Sequence, residues 1–411
     1  MLWIIISLIL FLCCLLEVFL LLLDHGIAAQ LIITAKNMAA IQGWKAVGAS
    51  ILSFVIGKIR DVTGSSKRSK HFADDSVYIA FCPSGGLGDY IISAKVLENI
   101  QQICKCSIDV FCEKQQFGSA VYGSREDVCL RDYREFEKSR NSYDLGLLVE
   151  HFVHVKNYNG RRLRELSPVL YEKVQYIVTH WNQLYVNIPQ QHWRERIQFE
   201  RCRVLGLDRW TQLRMGEAFE IADKNVFIPM DKSFLEKWKQ EGFAKGEYLT
   251  INYGADVMRA GFNQLKMWYR EYYVKLVKLI HLEFPNMKVV QLGGADTEAV
   301  EGCDKYVLGE SIEQTKWILK SSQVHIDCEG GLVHLATQLG TKCIVIFGPT
   351  PLHMYGYEEN INLQSEGCHN CMGVYGDWAY QCFKTGSYTQ CMADITPEMV
   401  LKSVKRVCQR E

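Results

Sequence analysis

The sequence lacks an excess of either charge: among its 411 residues, Lys and Arg together number 46, and so do Asp and Glu. A neutral chain has no basic footprint, so nucleic acid is not expected as a partner. Short-period repeats and low-complexity blocks are also missing. What remains is a chain long enough for two domains and an appendage.

No Lys or Arg precedes Lys36, so the basic region that starts a cleaved signal peptide is missing. Met1–Leu23 is one apolar run, broken only by Glu17, and is long enough to span a bilayer. Basic residues follow it, which places the rest of the chain in the cytoplasm. We expect a single-pass anchor in the inner (cytoplasmic) membrane, with anchor and linker over residues 1–70. Residues 26–60 either lie on the membrane surface or pack on the globular part.

Sixteen cysteines are many, but they are not distributed like a disulfide framework, which favours a reducing compartment. Cys368, Cys371, Cys382 and Cys391 have the spacing C-x2-C-x10-C-x8-C. This spacing is typical of a closed, structural four-thiolate site for iron or zinc. The surrounding loop has little apolar content, so a metal would replace the missing core. The alternative is free thiols, or disulfides in an oxidising compartment.

Short apolar runs alternate with helical patterns through the rest of the chain. The strand candidates are residues 77–81, 108–111, 145–149, 248–252, 288–292, 324–327 and the run that starts at Lys342. Such alternation predicts α/β architecture with parallel sheets covered on both faces. The series occurs twice, around a polar stretch at 231–246. We therefore predict two Rossmann-like domains facing across a cleft, residues 71–240 and 241–411.

A glycine turn at residues 85–89 (GGLGD) follows the first strand and opens a helix. Ile91 stands where a dinucleotide fingerprint needs Gly, and no G-K-[ST] follows, which excludes a P-loop. Backbone N–H groups at such a turn favour anions, so Gly86 and Gly88 are candidate substrate contacts. Asp89 either caps the helix or serves as a general base, because ligands collect at this edge of α/β sheets.

A second turn, at residues 329–334 (EGGLVH), stands between a strand and a helix in the other half. Glu329 is placed to accept hydrogen bonds from two hydroxyls of a ribose or sugar. Gly330 and Gly331 let the backbone approach a ligand and donate to phosphate. His334 either packs in the first helical turn or contacts the ligand.

Three further residues are candidate ligands of a diphosphate or its sugar. Lys266 precedes a helix and offers a compact positive charge. Gly293 ends another strand of the same half, where the alternative is an ordinary tight loop. Thr350 closes the loop after the strand from Lys342, and the N–H groups around it are expected to stabilise a leaving diphosphate.

Together these motifs resemble glycosyltransferase family 9, the bacterial heptosyltransferases of lipopolysaccharide assembly and their protein-modifying relatives. The matching segments are 86–89 (its GxGD turn), 266–268 (K-x-W), 329–336 (D-[ST]-G-x-x-H-[LV]-A), 347–350 (F-G-P-[ST]) and 391–398 (the tail of its cysteine-bearing members). Glu329 and Gly330 depart from the family pattern, which leaves the nucleotide base and the sugar open.

The resemblance implies a GT-B fold and inverting transfer, without a catalytic metal, from a nucleoside-diphosphate sugar to a glycan, lipid or protein hydroxyl. Asp89 is then the base and Lys266 a diphosphate ligand. The C-terminal half would hold the donor and the N-terminal half the acceptor, and the cysteine cluster holds iron in protein-modifying relatives. A sugar-nucleotide epimerase of the same fold and a non-catalytic metal-bearing membrane scaffold are the alternatives. The oligomeric state is left open.

Overall fold

The part of the chain that the structure, a computed structural model, describes consists of residues 75–181, 191–241, 243–254, 264–375, 378–386 and 388–409. The predicted membrane segment Met1–Leu23 and the remainder of residues 1–70 lie outside these ranges. Within them, no helix is both long enough and apolar enough to cross a bilayer. The membrane anchor therefore stays a prediction.

The first sheet has the strand order β3-β2-β1-β4-β5. Its strands are Val77–Pro83 (β1), Cys106–Cys112 (β2), Val128–Asp132 (β3), Leu145–Val149 (β4) and Val153–Tyr158 (β5). β1 to β4 are parallel, and β5 returns antiparallel to β4. Every residue of β1 is buried, as expected for the central strand of a sheet covered on both faces.

Helices follow the strands of this sheet. They are Leu87–Ile103 (α1), Gln115–Tyr122 (α2), Phe136–Ser139 (α3), Gly160–Leu166 (α4) and Pro168–Tyr176 (α5). Local sequence determines where α5 begins: the Ser167 hydroxyl accepts a hydrogen bond from the Leu170 N–H at 3.3 Å, and Pro168 occupies the first helical position.

The second sheet has the order β11-β10-β9-β6-β7-β8, and all of its strands are parallel. They are Tyr248–Asn252 (β6), Lys288–Gly293 (β7), Lys305–Leu308 (β8), His325–Cys328 (β9), Cys343–Phe347 (β10) and Ile361–Gln364 (β11). Both sheets belong to one compact unit of the chain. The predicted α/β class with two parallel-sheet halves is confirmed.

The remaining helices connect to or cover the second sheet. They are Gln191–Leu205 (α6), Ser233–Gln240 (α7), Arg270–Glu283 (α8), Ile312–Ser321 (α9), Gly331–Gln338 (α10), Leu352–Tyr355 (α11), Gln390–Ala393 (α12) and Pro397–Cys408 (α13). α7 packs against α9, one of the helices of the second sheet. Trp238 of α7 donates a hydrogen bond to Tyr248 Oη of β6 at 2.9 Å.

The strands that the sequence patterns did not predict are β3, β5, β8 and β11. Each of them is an edge strand of its sheet. Their residues are largely half-buried or exposed, whereas β1 and β10 are buried throughout. An edge strand needs no continuous apolar run, so periodicity alone gives little signal for it.

The two halves meet through their glycine turns, where α1 packs against α10. A Cβ added to Gly331 would lie 2.9 Å from Leu87 Cβ and 3.4 Å from the Gly88 nitrogen. A Cβ added to Gly88 would collide with the imidazole ring of His334. Because neither glycine carries a side chain, the first turns of the two helices can touch.

We predict that Gly331→Ala lowers the free energy of unfolding by about 1–3 kcal/mol, because the added methyl must push Leu87 and its helix away. Gly330→Ala is the matched control. Gly330 has an extended φ of 179°, and its added Cβ would come no nearer than 3.8 Å to a neighbouring atom, the Cys328 oxygen. Its unfolding free energy should change by no more than about 0.5 kcal/mol. Equal losses for both variants in urea unfolding would contradict the tight contact.

Candidate active site

Asp89 lies in the first turn of α1, immediately after the first glycine turn. Gly85 has a φ of 117°, a conformation that favours glycine, and a Cβ there would collide with the Asp89 carboxylate. Asp89 Oδ2 accepts a hydrogen bond from the Gly86 N–H at 2.9 Å. Asp89 Oδ1 accepts one from Arg209 Nη2, also at 2.9 Å. The carboxylate thus caps the helix, as one interpretation expected, and a third of its side chain stays accessible.

The pKa of Asp89 reflects two opposing effects. Burial raises it, but the positive charge of Arg209, the nearby His151 and the two hydrogen bonds together lower it below its usual range. Burial, reinforced by Arg209, lowers the pKa of His151 to about 4, so this imidazole is neutral at pH 7. The site therefore presents an ionised carboxylate beside a neutral histidine.

Glu329, Lys266 and His334 come together at the second turn, between β9 and α10. Lys266 Nζ lies 2.7 Å from Glu329 Oε2, and His334 Nε2 lies 3.9 Å from Glu329 Oε1. Gly330 and Gly331 lie between Glu329 and His334 in the chain, and α10 begins at Gly331. The structure thus places these predicted residues beside Gly88 and the Asp89 turn, because His334 covers Gly88.

His334 is held by a chain of aromatic partners. Its Nδ1 lies 2.6 Å from the Tyr357 hydroxyl, and Tyr357 accepts a hydrogen bond from Trp210 Nε1 at 3.3 Å. Burial lowers the pKa of His334, although the charges of Glu329 and Asp89 act in the opposite direction. The ring is therefore neutral near pH 7.

Lys266 owes its position to the tryptophan two residues later. Trp268 is fully buried, its indole Nε1 donates to the Ile395 carbonyl at 2.8 Å, and its ring meets Tyr273 edge-on at 4.8 Å between centroids. An aromatic side chain of this size buries about 150–250 Å². The K-x-W pattern thus joins a charged residue to a rigid anchor in the core.

Thr350 and Gly293 occupy different places at the carboxyl edge of the second sheet. Thr350 is buried in the loop after β10, the neighbour of β9. Gly293 ends β7, which β6 separates from β9, and both Gly293 and Gly254 face Thr297. Residues 255–263, which follow β6, lie outside the described residues. No contact joins Gly293 to the Asp89 cluster within the described part of the chain.

The segment that contains the four C-terminal cysteines contacts the loop that carries Thr350. Cys391 Sγ would be 3.2 Å from a Cβ added to Gly348, and the Asn370 N–H donates to the Gly348 carbonyl at 3.1 Å. Burial raises the pKa of Cys371 to about 11, and the charges of Cys368 and Cys382 contribute to this shift.

Burial, followed by the charges of the other three thiols, also raises the pKa of Cys391. The chemistry and mutual proximity of these thiols suit a soft metal. Among the residues that the structure describes, however, no three His, Cys, Asp or Glu side chains converge closely enough to hold an ion. The predicted four-thiolate centre is therefore not formed as a closed cage.

Two residues of the site were missed by sequence reasoning. Arg209 follows α6 and is fully buried, although it contacts Asp89. His151 follows β4, and its buried Nδ1 has no hydrogen-bond partner among the residues that the structure describes. Neither belongs to a motif, because only the fold brings them next to the glycine turn.

No family model matches the sequence, and no curated protein matches it. Solved structures do match the fold. The iron-containing dodecameric glycosyltransferase TibC from enterotoxigenic E. coli H10407 matches with a TM-score of 0.53 and 14% identity, over 82% of this chain and 76% of that one. E. coli ADP-heptose lipopolysaccharide heptosyltransferase II gives 0.49 and 14%, over 81% and 99%. The family 9 glycosyl transferase from Veillonella parvula gives 0.48 and 13%, over 84% and 100%.

At such identities a structural match shows a shared fold. The match to TibC confirms, at the level of the fold, the resemblance to glycosyltransferase family 9 and its GT-B-like architecture.

Proposed function

We propose that this chain is a glycosyltransferase that moves a sugar from a nucleoside-diphosphate sugar to a hydroxyl group of a glycan, lipid or protein, with inversion at the anomeric carbon. Heptose is a candidate sugar. The observation that carries the proposal is the contact between the two glycine turns. It places the ionised Asp89 of one half next to the His334, Glu329 and Lys266 cluster of the other.

Asp89 is the proposed general base. The acceptor oxygen forms a bond to the anomeric carbon as the bond from that carbon to the diphosphate oxygen breaks. The acceptor proton passes to the Asp89 carboxylate, and the electron pair of the broken bond leaves on the diphosphate. A carboxylate whose pKa lies below its usual range is fully ionised at neutral pH and ready to accept this proton.

Lys266 and the backbone around Gly330, Gly331 and Thr350 are the proposed partners of the diphosphate. A lysine charge and backbone N–H groups at a helix start stabilise the negative charge that grows on the leaving group. Glu329, now paired with Lys266, is the proposed acceptor for hydroxyls of the ribose or sugar. No catalytic metal is needed for this arrangement of charges.

His334 is the proposed neutral donor to a diphosphate oxygen. An indole N–H only donates, so Tyr357 accepts from Trp210; we propose that the Tyr357 hydroxyl in turn donates to His334 Nδ1. This leaves the proton of the neutral ring on Nε2, the atom that faces Glu329. Burial, which lowers the pKa of His334, helps to keep the ring in that form.

Asp89→Asn should reduce transfer by about 10²–10⁴-fold, because it removes the base while keeping the shape of the side chain. Donor affinity, measured by calorimetry, should change little. Transfer is followed as release of nucleoside diphosphate from the donor in the presence of membrane extract as acceptor source. Near-normal turnover would refute the assignment of the base.

Asp144→Asn is the matched control, because Asp144 also forms an ion pair with a largely buried arginine, Arg162, at 3.1 Å, away from the turn. It should lower stability and leave turnover per folded molecule unchanged. Release of free nucleotide from the donor without any acceptor would instead favour a sugar-nucleotide epimerase. Failure of nucleoside diphosphates to bind at all would favour the scaffold alternative.

A structural iron or zinc ion bound by Cys368, Cys371, Cys382 and Cys391 is part of the proposal. The support is the spacing of the four cysteines in the chain, together with the effect of neighbouring thiols on the pKa values of Cys371 and Cys391. The ion would hold the loop against Gly348 and so support the position of Thr350. It would take no part in proton transfer.

Elemental analysis should find about one iron or zinc per chain, as for other four-thiolate sites. Cys371→Ser should lose the ion and lower the melting temperature. Cys129→Ser, at an exposed thiol on the edge strand β3, should change neither quantity. Metal-free protein of unchanged stability would contradict the metal proposal and leave four free thiols.

We also propose that residues 1–23 anchor the enzyme in the inner membrane, with its catalytic part in the cytoplasm near a membrane-proximal acceptor. A chain that begins at His71 should remain in the soluble fraction after centrifugation and should still bind donor, whereas the full chain should sediment with membranes. Equal partitioning of the two would contradict the anchor. Loss of folding in the shorter chain would instead assign the first seventy residues to the globular part.

A further inference from the structure

We infer that Arg209 is a positioning residue for Asp89, holding the carboxylate in the one orientation that receives the acceptor proton. The inference rests on the proposed function of Asp89. It assigns a catalytic consequence to an arginine that belongs to none of the sequence motifs.

The main chain at Arg209 is firmly placed. The Arg209 N–H donates to the Met354 carbonyl at 2.9 Å. Asp208 Oδ1 accepts hydrogen bonds from the N–H groups of Trp210 and Thr211, at 3.0 and 2.8 Å. Asp208 Oδ2 also pairs with Lys224 at 2.6 Å. The arginine therefore projects from a turn that is tied to its surroundings on both sides.

The side chain of Arg209 is completely buried, and a single nitrogen makes its two contacts. Nη2 donates to Asp89 Oδ1 at 2.9 Å and to the Glu150 carbonyl at 2.7 Å. The Gly86 N–H holds Asp89 Oδ2 at 2.9 Å. With one donor on each oxygen, rotation of the carboxylate is blocked. Each oxygen still has a lone pair for a proton, because a carboxylate accepts about four hydrogen bonds.

Stability alone does not account for this arginine. Arg209 Nε and Nη1 are buried without a hydrogen-bond partner among the described residues. A buried polar group without a partner destabilises the fold, because its hydration is lost and not replaced. Replacing both members of a buried ion pair by apolar side chains is often neutral or stabilising, so the fold alone does not require the Arg209–Asp89 pair. We attribute this cost in stability to the role of Arg209, which maintains the orientation and the charge of Asp89.

The other titratable groups around Asp89 do not replace Arg209. Burial keeps His151 and His334 neutral near pH 7, and Tyr355 from α11 is also neutral because burial raises its pKa. Glu329, beyond His334, is an acid in an ion pair with Lys266. Arg209 is the cation in direct contact with the carboxylate. Its removal should raise the pKa of Asp89, so that the base is lost to protonation at a higher pH.

The test is the pH profile of kcat/KM for Arg209→Met and Arg209→Lys. In Arg209→Met, kcat should fall by up to about 100-fold, the scale of a small misplacement of a reacting group. The acid limb of the profile should move up by about 1–3 pH units, the range by which a neighbouring opposite charge lowers a carboxylate pKa. Arg209→Lys keeps the charge and loses the fork geometry, so kcat should fall while the acid limb moves less. Donor affinity should be unchanged in both.

Arg162→Met is the matched control, since Arg162 pairs with Asp144 in the same half. It should lose stability without moving the acid limb. An unmoved acid limb and wild-type kcat in Arg209→Met would overturn the inference; if that variant does not fold, wild-type kcat in Arg209→Lys would do so. The proposed function fails separately, through a normally active Asp89→Asn. If Asp89→Asn is inactive while Arg209→Met has normal activity, only the proposed role of Arg209 is refuted.

Discussion

The close approach of two helix starts, made possible by glycine, determines the rest of this structure. Gly331 of α10 lies against Leu87 and Gly88 of α1 with no room for a Cβ atom. A few ångströms of separation here would withdraw His334 from Gly88 and, with it, the cluster of His334, Glu329 and Lys266 from Asp89. Proteins are packed too densely for such a gap to be absorbed elsewhere. The chemistry of the site therefore depends on the absence of two side chains.

Burial shifts the pKa values that determine which side chains of the site are charged. If burial alone acted on Asp89, its pKa would rise and a larger fraction of the carboxyl would be protonated at neutral pH. Arg209 reverses that effect. Burial acts in the other direction on His151 and His334, which it keeps neutral. The outcome is an ionised carboxylate, paired with Arg209, near two neutral imidazoles.

The sequence patterns predicted the strands and turns whose positions follow from burial of apolar residues. The central strands β1 and β10 are continuous apolar runs, and both glycine turns follow such runs, so these elements were predicted at nearly their observed positions. The edge strands and Arg209 were not, because exposure weakens the pattern of an edge strand and no local rule reports a contact between residues 120 positions apart. The cysteine spacing predicted a metal centre, whereas no three metal-binding side chains converge among the described residues.

The proposed function requires that the turn at Glu329–Gly331 hold a donor diphosphate facing Asp89. The most direct measurement is a crystal structure of the full chain with a nucleoside diphosphate bound. We expect phosphate oxygens within about 3 Å of Lys266 Nζ and of the backbone N–H groups around Gly331. A nucleotide bound away from this turn, or none at saturating concentration, would contradict it.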